Sequence, residues 1–485
     1  MTFIDEQRWH EQIASQGWTR GGGGALPVIE PATSSTLTQV GRADAGDVAS
    51  AAELAATAQR AWAQTPYDER AAILRRAGTL IEEHAGELHE WMIRETGSVR
   101  AKVAAETGWA AEELHEAAGL ARQPEGEVLR TNAPRLSLAR RRPVGVVGVI
   151  SPFNFPLILS TRAVAPALAL GNAVVLKPDP RTPLSGGVLL AQALEAAGLP
   201  EGLLHVLPGG ADVGEAVVAD PHVGLVSFTG SVKGGRAVAA AAARHLKRTH
   251  LELGGNSALV VLDDVDVDQA ASAGAFASFL HQGQICMTAG RHLVHERVVG
   301  DYLEALRERA ERLPVGDPAA GDVALGPLID ASQRDRVHGL VTDSVTAGAR
   351  VLAGGRYDDL FYRPTVLADV DEAAPAYAEE VFGPVAPVRA FGDADEAARL
   401  AADSEHGLSL GILTRDVMRG VALADRIPSG KVHINDQTVA DEAVAPFGGV
   451  GVSGDGSRLG GRANLEAFTE LQWLTLQGEI PGYPF

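Results

Sequence analysis

Short apolar runs alternate with helix-like segments along most of the chain, and this alternation strongly limits the folds that it can adopt. The first series of runs consists of VGVVGVI (144–150), AVVL (173–176), LLHVL (203–207) and VGLVSF (223–228). Segments with helical spacing, such as LSGGVLLAQALEAAG, separate them. Strands that alternate with helices form βαβ units whose strands pair in parallel. This part of the chain therefore predicts a parallel sheet covered by helices.

A second series of runs follows the first and predicts a second sheet. It comprises SALVVL (257–262), HLVH (292–295), strands near residues 350, 366, 388 and 410, and KVHIN (431–435). We therefore predict an α/β fold with two Rossmann-like lobes, one formed by residues 1–123 and 143–250 and the other by residues 251–440. A cleft between two such lobes is a common place for a cofactor to meet a substrate.

The segments outside the two lobes predict a small β arm. AFTELQWLTLQ, near the end of the sequence, has the pattern of a strand but no obvious sheet of its own. We expect residues 124–142 and 466–480 to form an oligomerisation arm that pairs with another subunit, in a homodimer or a homotetramer. The basic run RRR (140–142) is interpreted as a solvated edge strand or a subunit contact rather than an anion site.

Charge and cysteine content exclude several classes of function. The 485-residue chain carries 42 Lys and Arg against 62 Asp and Glu, a net charge of −20, so nucleic acid and anionic membrane surfaces are repelled. A single cysteine leaves no disulfide and no centre built from several thiolates, and we predict no metal site. We find neither a signal-peptide pattern nor a run of about 20 apolar residues, so we expect a cytoplasmic protein.

The lone cysteine, Cys286, lies in HQGQICMTAG after an Ala- and Phe-containing helical segment. Neighbouring glycines let the backbone approach closely and leave room for a substrate. The alternative interpretation is that this lone cysteine is a small buried hydrophobic residue. A thiol becomes a good nucleophile only when a base, a helix dipole or a cation lies nearby. Its activating partners must lie elsewhere in the chain.

Two polar residues are candidates to act with Cys286. Glu252 in LELGGN stands before two glycines and an apolar strand, where partial burial would raise its pKa toward the range of a general base. A surface turn is the alternative interpretation of this motif. Asn154 in SPFNFP follows the strand at 144–150 and lies between two prolines, so its amide could donate to an oxyanion. For Asn154 the alternative is an Asx turn.

A dinucleotide site is indicated by FTGS (228–231), which ends a strand, and by SVKGGRAVAAAAARHL, which begins a helix. Free N–H groups and the dipole at such a helix start can hold a pyrophosphate. Lys177, which ends AVVLK, and Glu380 in EEVFGP are candidates for binding ribose hydroxyls. GVGVSG (449–454) matches G-x-G-x-x-G but lacks the flanking strand and helix, so we do not interpret it as the dinucleotide site.

Seven motifs occur in this order along the chain: SPFNFP, VVLKPDP, FTGS, LELGGN, GQIC, EEVFGP and PFGGVGVSG. Together they resemble the aldehyde dehydrogenase superfamily, and the resemblance covers nearly the whole chain. HQGQICM and HINDQTVADE (433–442) are similar to its branch that oxidises aromatic aldehydes such as benzaldehyde and vanillin. The resemblance implies NAD(P)-dependent oxidation of an aldehyde to a carboxylic acid, with NAD preferred and NADP possible. It assigns cofactor binding to the first lobe and catalysis to the second.

The resemblance also implies residue roles. Cys286 attacks the aldehyde carbon, and the Asn154 amide and the backbone N–H of Cys286 hold the oxyanion. Hydride then passes to the nicotinamide ring, and Glu252 activates the water that hydrolyses the thioester. The residues implied to bind the cofactor are Ser151, Pro152, Lys177, Gly230, Ser231, Gly235, Glu380 and Phe382. Those implied to contact the substrate are Phe155, Arg162, Ile285 and Phe447.

Several positions depart from the family pattern. Pro180 and Arg181 follow Lys177 where NAD-preferring members often carry a glutamate, which leaves the 2′-phosphate of NADP unopposed. His281 replaces a common asparagine and could be mistaken for a Cys–His base. Arg162 resembles an arginine of semialdehyde dehydrogenases that binds a distal carboxylate, with a buried ion pair as the alternative. SRLGG (457–461) replaces the usual R-E-L-G.

Other functions explain fewer of these residues. A non-redox cysteine esterase or thioesterase that uses Cys286 and His281 leaves the cofactor motifs without roles. A catalytically idle structural protein should lack part of the set formed by Asn154, Glu252 and Cys286. A CoA-acylating enzyme should lack the glutamate base.

Overall fold

Helices and strands alternate through residues 3–485, the part of the chain that the computed structural model describes. The helices are α1 (Glu6–Trp9), α2 (Ala45–Trp62), α3 (Tyr67–Glu83), α4 (Ala85–Thr96), α5 (Arg100–Leu120), α6 (Pro156–Ala169), α7 (Leu189–Ala196), α8 (Ala211–Ala219), α9 (Val232–Arg244), α10 (Val267–Phe279), α11 (Val299–Arg312), α12 (Ala331–Thr346), α13 (Pro375–Ala378), α14 (Ala394–Ala402), α15 (Val417–Ala424) and α16 (Ala463–Phe468). A π turn spans Leu184–Val188 and a 3₁₀ turn spans Leu280–Gly283.

The strands occupy the predicted apolar runs and also segments outside them that the runs did not predict. They are β1 (Ile13–Ser15), β2 (Gly17–Thr19), β3 (Ala25–Glu30), β4 (Ser35–Gly41), β5 (Gly126–Val128), β6 (Leu136–Pro143), β7 (Val146–Ile150), β8 (Ala173–Lys177), β9 (Leu204–Val206), β10 (Val223–Thr229), β11 (Arg248–Glu252), β12 (Ser257–Val261), β13 (Ala289–His295), β14 (Arg350–Ala353), β15 (Tyr357–Asp358), β16 (Phe361–Tyr362), β17 (Thr365–Ala368), β18 (Val385–Phe391), β19 (His406–Gly407), β20 (Ser409–Leu413), β21 (Lys431–Ile434), β22 (Val450–Gly451) and β23 (Thr469–Leu476).

Two seven-stranded sheets form the two lobes, which confirms the predicted fold class. The first has the order β11-β10-β7-β8-β9-β1-β2, and the second has the order β14-β17-β18-β13-β12-β20-β21. Pairing is parallel except at one edge of each sheet, where β1, β2 and β14 run antiparallel. β11 reaches Glu252, two residues past the boundary expected at residue 250, so the change of lobe falls between β11 and β12.

The central strands are apolar because helices cover both faces of each sheet. Every residue of β7 and β8 is buried, as expected for parallel strands inside an α/β layer. The helices supply apolar stripes: in α3, Ile73, Ala77 and Ile81 are buried on one face. The carboxyl ends of the strands in the first sheet are thereby fixed, and the loops that follow them carry the candidate site.

The predicted arm forms a sheet within the chain. β23 pairs antiparallel with β6 from Thr469↔Pro143 to Leu476↔Leu136, and β5 pairs with the other side of β6. The expectation that the C-terminal strand has no sheet of its own was therefore wrong, and RRR lies on a central strand rather than an edge. The outer strand β23 exposes three large apolar side chains, Leu471, Trp473 and Leu476.

Within residues 3–485, no helix combines the length and the apolar character that crossing a bilayer requires.

Candidate active site

A cavity of about 460 Å³ brings together loops of the first lobe and residues of the second. Ten of the residues singled out in the sequence line it: Ser151, Pro152, Asn154, Lys177, Gly230, Ser231, Glu252, Cys286, Glu380 and Phe382. They come from segments more than 200 residues apart in the chain. The first-lobe residues lie at or just after the carboxyl ends of parallel strands, which share one edge of the sheet, whereas Cys286, Glu380 and Phe382 precede strands of the second sheet.

Cys286 follows α10 through a turn of unusual backbone conformation. His281 and Gln282 have φ values of 49° and 56°, and Gly283 has a φ of 65°. Non-glycine residues in this left-handed region store strain, which packing must offset. The Gln282 amide does so by donating to Pro327 O at 2.8 Å and to Gly97 O at 3.2 Å. The turn therefore holds the thiol at a fixed place in the cavity wall.

The protein holds Cys286 mainly as a thiol. Burial, together with the nearby carboxylate of Glu380, raises its pKa to about 12, whereas Lys431 acts in the opposite sense. His281 does not serve as its base in this arrangement, because its ring packs against Phe155 and its Nδ1 lies 3.5 Å from Ser98 Oγ. Burial also lowers the pKa of His281 well below its usual value.

Glu252 ends β11 with a buried carboxylate. Burial raises its pKa, and contact with His250 opposes that rise. His250 Nε2 lies 3.2 Å from Glu252 Oε1. Space for the carboxylate depends on Gly448, whose added Cβ would come within 2.9 Å of Glu252 Oε1 and whose φ of 154° disfavours a side chain. A surface turn, the alternative interpretation of LELGGN, is excluded because the side chain is 4% exposed.

Asn154 lies in the loop between β7 and α6, and a buried ion pair secures the end of that loop. Glu106 on α5 accepts hydrogen bonds from Leu157 N at 2.9 Å and Ile158 N at 3.4 Å, at the first turn of α6. Lys102 Nζ lies 2.5 Å from the other oxygen of Glu106. Sequence analysis missed this pair because acidic and basic residues four apart on a helix are ordinary on a surface.

The cavity has the groups that a dinucleotide requires. Ser231 caps α9 by accepting a hydrogen bond from Gly234 N at 3.1 Å, and Gly230 and Ser231 line the cavity at the start of that helix. A Cβ on Gly230 would come within 2.7 Å of the Phe228 ring, so a side chain there would disturb the turn. Burial raises the pKa of Glu380 to about 7. Gly235 lies inside α9 against Leu253 and does not line the cavity.

Arg181 lies in the same cavity but is already paired. Its guanidinium donates to both oxygens of Asp179 at 2.8 Å and to Asp330 Oδ2 at 3.0 Å, and it stacks on the Phe153 ring at 4.1 Å. Arginine holds such planar contacts well because its donors form a rigid fork. Sequence analysis identified Arg181 and missed both carboxylates.

The four candidate substrate residues are buried beside the cavity rather than in its lining. Phe155 faces Trp109, with ring centroids 6.3 Å apart, and Ile285 and Phe447 belong to the same apolar cluster. Arg162 donates to Glu113 Oε1 at 2.9 Å and to Asp441 Oδ2 at 2.6 Å. The structure therefore favours the buried ion pair over a free guanidinium that awaits a substrate carboxylate.

A cysteine, a buried carboxylate and a side-chain amide share one cleft, an arrangement that suits an oxidoreductase with a covalent nucleophile. Comparison with known proteins agrees: the model of the aldehyde dehydrogenase family matches residues 18–474, and the chain belongs to that family. Its reaction class is NAD(P)-dependent oxidation of an aldehyde.

Three similar proteins extend the comparison. A vanillin dehydrogenase of Amycolatopsis sp. is 62% identical over 486 residues, covering 100% of both chains. A benzaldehyde dehydrogenase [NAD(+)] of Pseudomonas putida is 48% identical, with 98% of both chains covered. The crystal structure of a betaine aldehyde dehydrogenase from Staphylococcus aureus in complex with NAD+ has a TM-score of 0.95 and 28% identity, covering 99% of this chain and 97% of that one. The predicted resemblance is confirmed.

Proposed function

We propose that this protein oxidises an aromatic aldehyde of the benzaldehyde or vanillin type to its carboxylic acid, through a thioester on Cys286. The observation that carries the proposed chemistry is the single cavity shared by Cys286, Glu252 and Asn154. The aromatic substrate is supported by the two relatives named for vanillin and benzaldehyde. The apolar cluster beside the cavity, which includes Phe155 and Phe447, offers flat apolar surfaces for an aromatic ring.

In this proposal the first half of the reaction takes place on sulfur. The Cys286 thiol must pass its proton to a water molecule before its first attack, because the thiolate is the nucleophile. Its addition to the aldehyde carbon gives a thiohemiacetal, and the Asn154 amide donates to the oxygen that gains negative charge. NAD(P), which Lys177, Ser231 and Glu380 would hold, would supply the hydride acceptor. Covalent attachment keeps the reacting carbon fixed while hydride leaves, which a free aldehyde hydrate does not achieve.

In the second half, Glu252 acts on water. Its carboxylate takes a proton from a water molecule, whose oxygen attacks the thioester carbon. The C–S bond then breaks, which releases the acid and returns Cys286 as a thiolate ready for the next aldehyde. A buried carboxylate suits this step because its raised pKa makes it a stronger base than an exposed one.

An absorbance assay for reduced cofactor tests the proposed function. The purified protein should reduce NAD or NADP with benzaldehyde and vanillin faster than with aliphatic aldehydes or carboxylate-bearing semialdehydes. If no aldehyde gave reduced cofactor, or if esters turned over without any nicotinamide, the oxidoreductase proposal would fail in favour of a cysteine hydrolase.

Arg162→Leu should lower stability without changing substrate preference. Removing one partner of a buried ion pair leaves a charge uncompensated, and we expect the free energy of unfolding to fall by about 3–5 kcal/mol. Urea unfolding measures this loss. Arg350→Leu is the matched control, because its pair with Asp369 is exposed and should contribute less than about 1 kcal/mol. A selective loss of kcat/KM for semialdehydes would instead show that Arg162 binds a substrate carboxylate.

For the cofactor, we propose a preference for NAD over NADP. Asp179 and Asp330 occupy the donors of Arg181, and the Arg181 contacts lower the pKa of Asp179 and so keep it ionised. A 2′-phosphate placed beside Arg181 and Asp179 would be repelled by the Asp179 carboxylate, and it would find the Arg181 donors already occupied.

Asp179→Ser should shift that preference toward NADP. Releasing Arg181 from one carboxylate makes its donors available to a phosphate, and a hydrogen bond to a charged group is worth about 1.5–3 kcal/mol. We expect the kcat/KM ratio of NADP to NAD to rise at least about tenfold. Asp330→Asn is the control, because Asp179 keeps its hydrogen bonds with Arg181 in that variant. If the kcat/KM ratio of NADP to NAD did not change in Asp179→Ser, the 2′-hydroxyl of the adenosine ribose would not lie beside Asp179 and Arg181.

We also propose a homodimer or homotetramer that uses the exposed face of β23. Leu471 and Trp473 are more than half exposed on this outer strand, and such an edge is prone to pair or be covered. Multi-angle light scattering that gave one 50.6 kDa chain per particle would contradict this.

A further inference from the structure

A second cavity, of about 330 Å³, lies against β11 and the SRLGG segment. Thr249, His250, Ser457 and Arg458 are among its lining residues, and it shares none with the cavity that contains Cys286. His250 lines the second cavity and Glu252 lines the first. Because residues two apart on a strand point to the same face, their side chains meet.

His250 lacks the contacts of a structural histidine. Its side chain is 1% exposed, and neither ring nitrogen has a hydrogen-bond partner among residues 3–485, although Nε2 lies 3.2 Å from Glu252 Oε1. Buried polar atoms without partners are costly. By contrast, the buried ring of His205 contacts Ser15 Oγ at 3.0 Å and Gly202 O at 3.1 Å.

The proposed hydrolysis creates a need that this histidine can meet. Each turnover leaves one proton on the Glu252 carboxylate, which is buried and must lose that proton before the next water can be activated. A side chain within proton-transfer distance, with a free nitrogen, is a suitable acceptor because histidine exchanges protons readily near neutral pH.

We propose that His250 carries the proton from Glu252 to water in the second cavity, an inference that rests on the proposed function. The O–H bond of the Glu252 carboxyl breaks as an Nε2–H bond forms on the neutral ring. The resulting imidazolium then loses its Nδ1 proton to a water molecule, which becomes hydronium. Both residues are then at their starting charges, and exchange with water moves the remaining ring proton from Nε2 to Nδ1 before the next turnover.

Arg458, in the SRLGG departure, favours the ionised form of Glu252. Its guanidinium donates to Ser457 O at 2.8 Å and to Gly449 O at 3.1 Å, which fixes it beside the second cavity. Its positive charge lowers the pKa of Glu252 and so stabilises the carboxylate after the proton has left.

Rapid-mixing kinetics with His250→Gln test the inference. The amide fills similar space but does not carry a proton. We expect the first turnover of reduced cofactor to stay within about twofold of the wild type and the steady-state rate to fall about tenfold, a part of the 10²- to 10⁴-fold that acid–base catalysis contributes. Added imidazole, which fits the second cavity, should restore the steady-state rate in the variant and leave the wild type unchanged.

His205→Gln provides the matched control, with an expected loss of stability but an unchanged ratio of first to steady-state turnover. His250→Asn serves if the glutamine variant does not fold. The inference is overturned if His250→Gln slows both phases equally, or if imidazole gives no rescue. Failure of the proposed function would look different, because the wild type itself would then form no reduced cofactor.

Discussion

Replacing Cys286 with alanine should abolish aldehyde oxidation, with kcat/KM falling by at least about 10⁴-fold. The structure offers no second thiol, since Cys286 is the sole cysteine of the sequence. Without sulfur, no thiohemiacetal forms, and hydride would have to leave an unattached aldehyde hydrate. Reduced-cofactor absorbance, followed with benzaldehyde at saturating cofactor, measures the loss.

The control for Cys286→Ala is cofactor affinity, measured by isothermal titration calorimetry. It should remain close to that of the wild type because the expected ribose and phosphate contacts belong to other residues. The thermal midpoint should also change little, because the side chain is only partly buried. If Cys286→Ala retained more than a few per cent of the activity, the proposed covalent mechanism would be wrong.

Glu252→Gln should uncouple the two halves of the reaction. We expect one equivalent of reduced cofactor per site, followed by a steady-state rate lower by about 10²- to 10⁴-fold, because the general base for hydrolysis is lost. The acyl group should remain on Cys286 and appear as a mass increase of the intact protein. In the wild type, hydrolysis should speed up as pH rises through the raised pKa of Glu252, and this rise should be absent from the variant.

Glu95→Gln is the matched control for Glu252→Gln. Glu95 is also a buried carboxylate, but it accepts hydrogen bonds from Leu184 N and Ser185 N, both at 2.7 Å, and lies outside the lining of the cavity. Its loss should reduce stability and produce no accumulated acyl-enzyme. If Glu252→Gln turned over steadily without a burst, another group would be the base.

The sequence predicts the two sheets because their signals are local. β7 and β8 appear as uninterrupted β-branched runs, and α9 begins at the serine that caps it. Cys286 and Glu252 could be proposed from the glycines around them, but each had a plausible structural alternative. Only folding shows that the two share one cavity.

Features that depend on distant segments escaped prediction. Glu106 secures the Asn154 loop from a helix about 50 residues earlier, and Asp330 reaches Arg181 across 149 residues. Neither contact leaves a periodic pattern, since hydrophobic spacing reports burial and not the partner of a charge. His250 is a similar case, because neither its strand β11 nor the cavity beside it was predicted.

The pairing of β6 with β23 has a consequence for biosynthesis. Arg140 and Gln472, which are hydrogen-bonded at 2.8 Å, are separated by 332 positions. During translation, therefore, one side of β6 stays without its neighbour until 332 further positions have been added. The arm sheet, and the subunit association that we propose through it, can be completed only after both lobes have been synthesised.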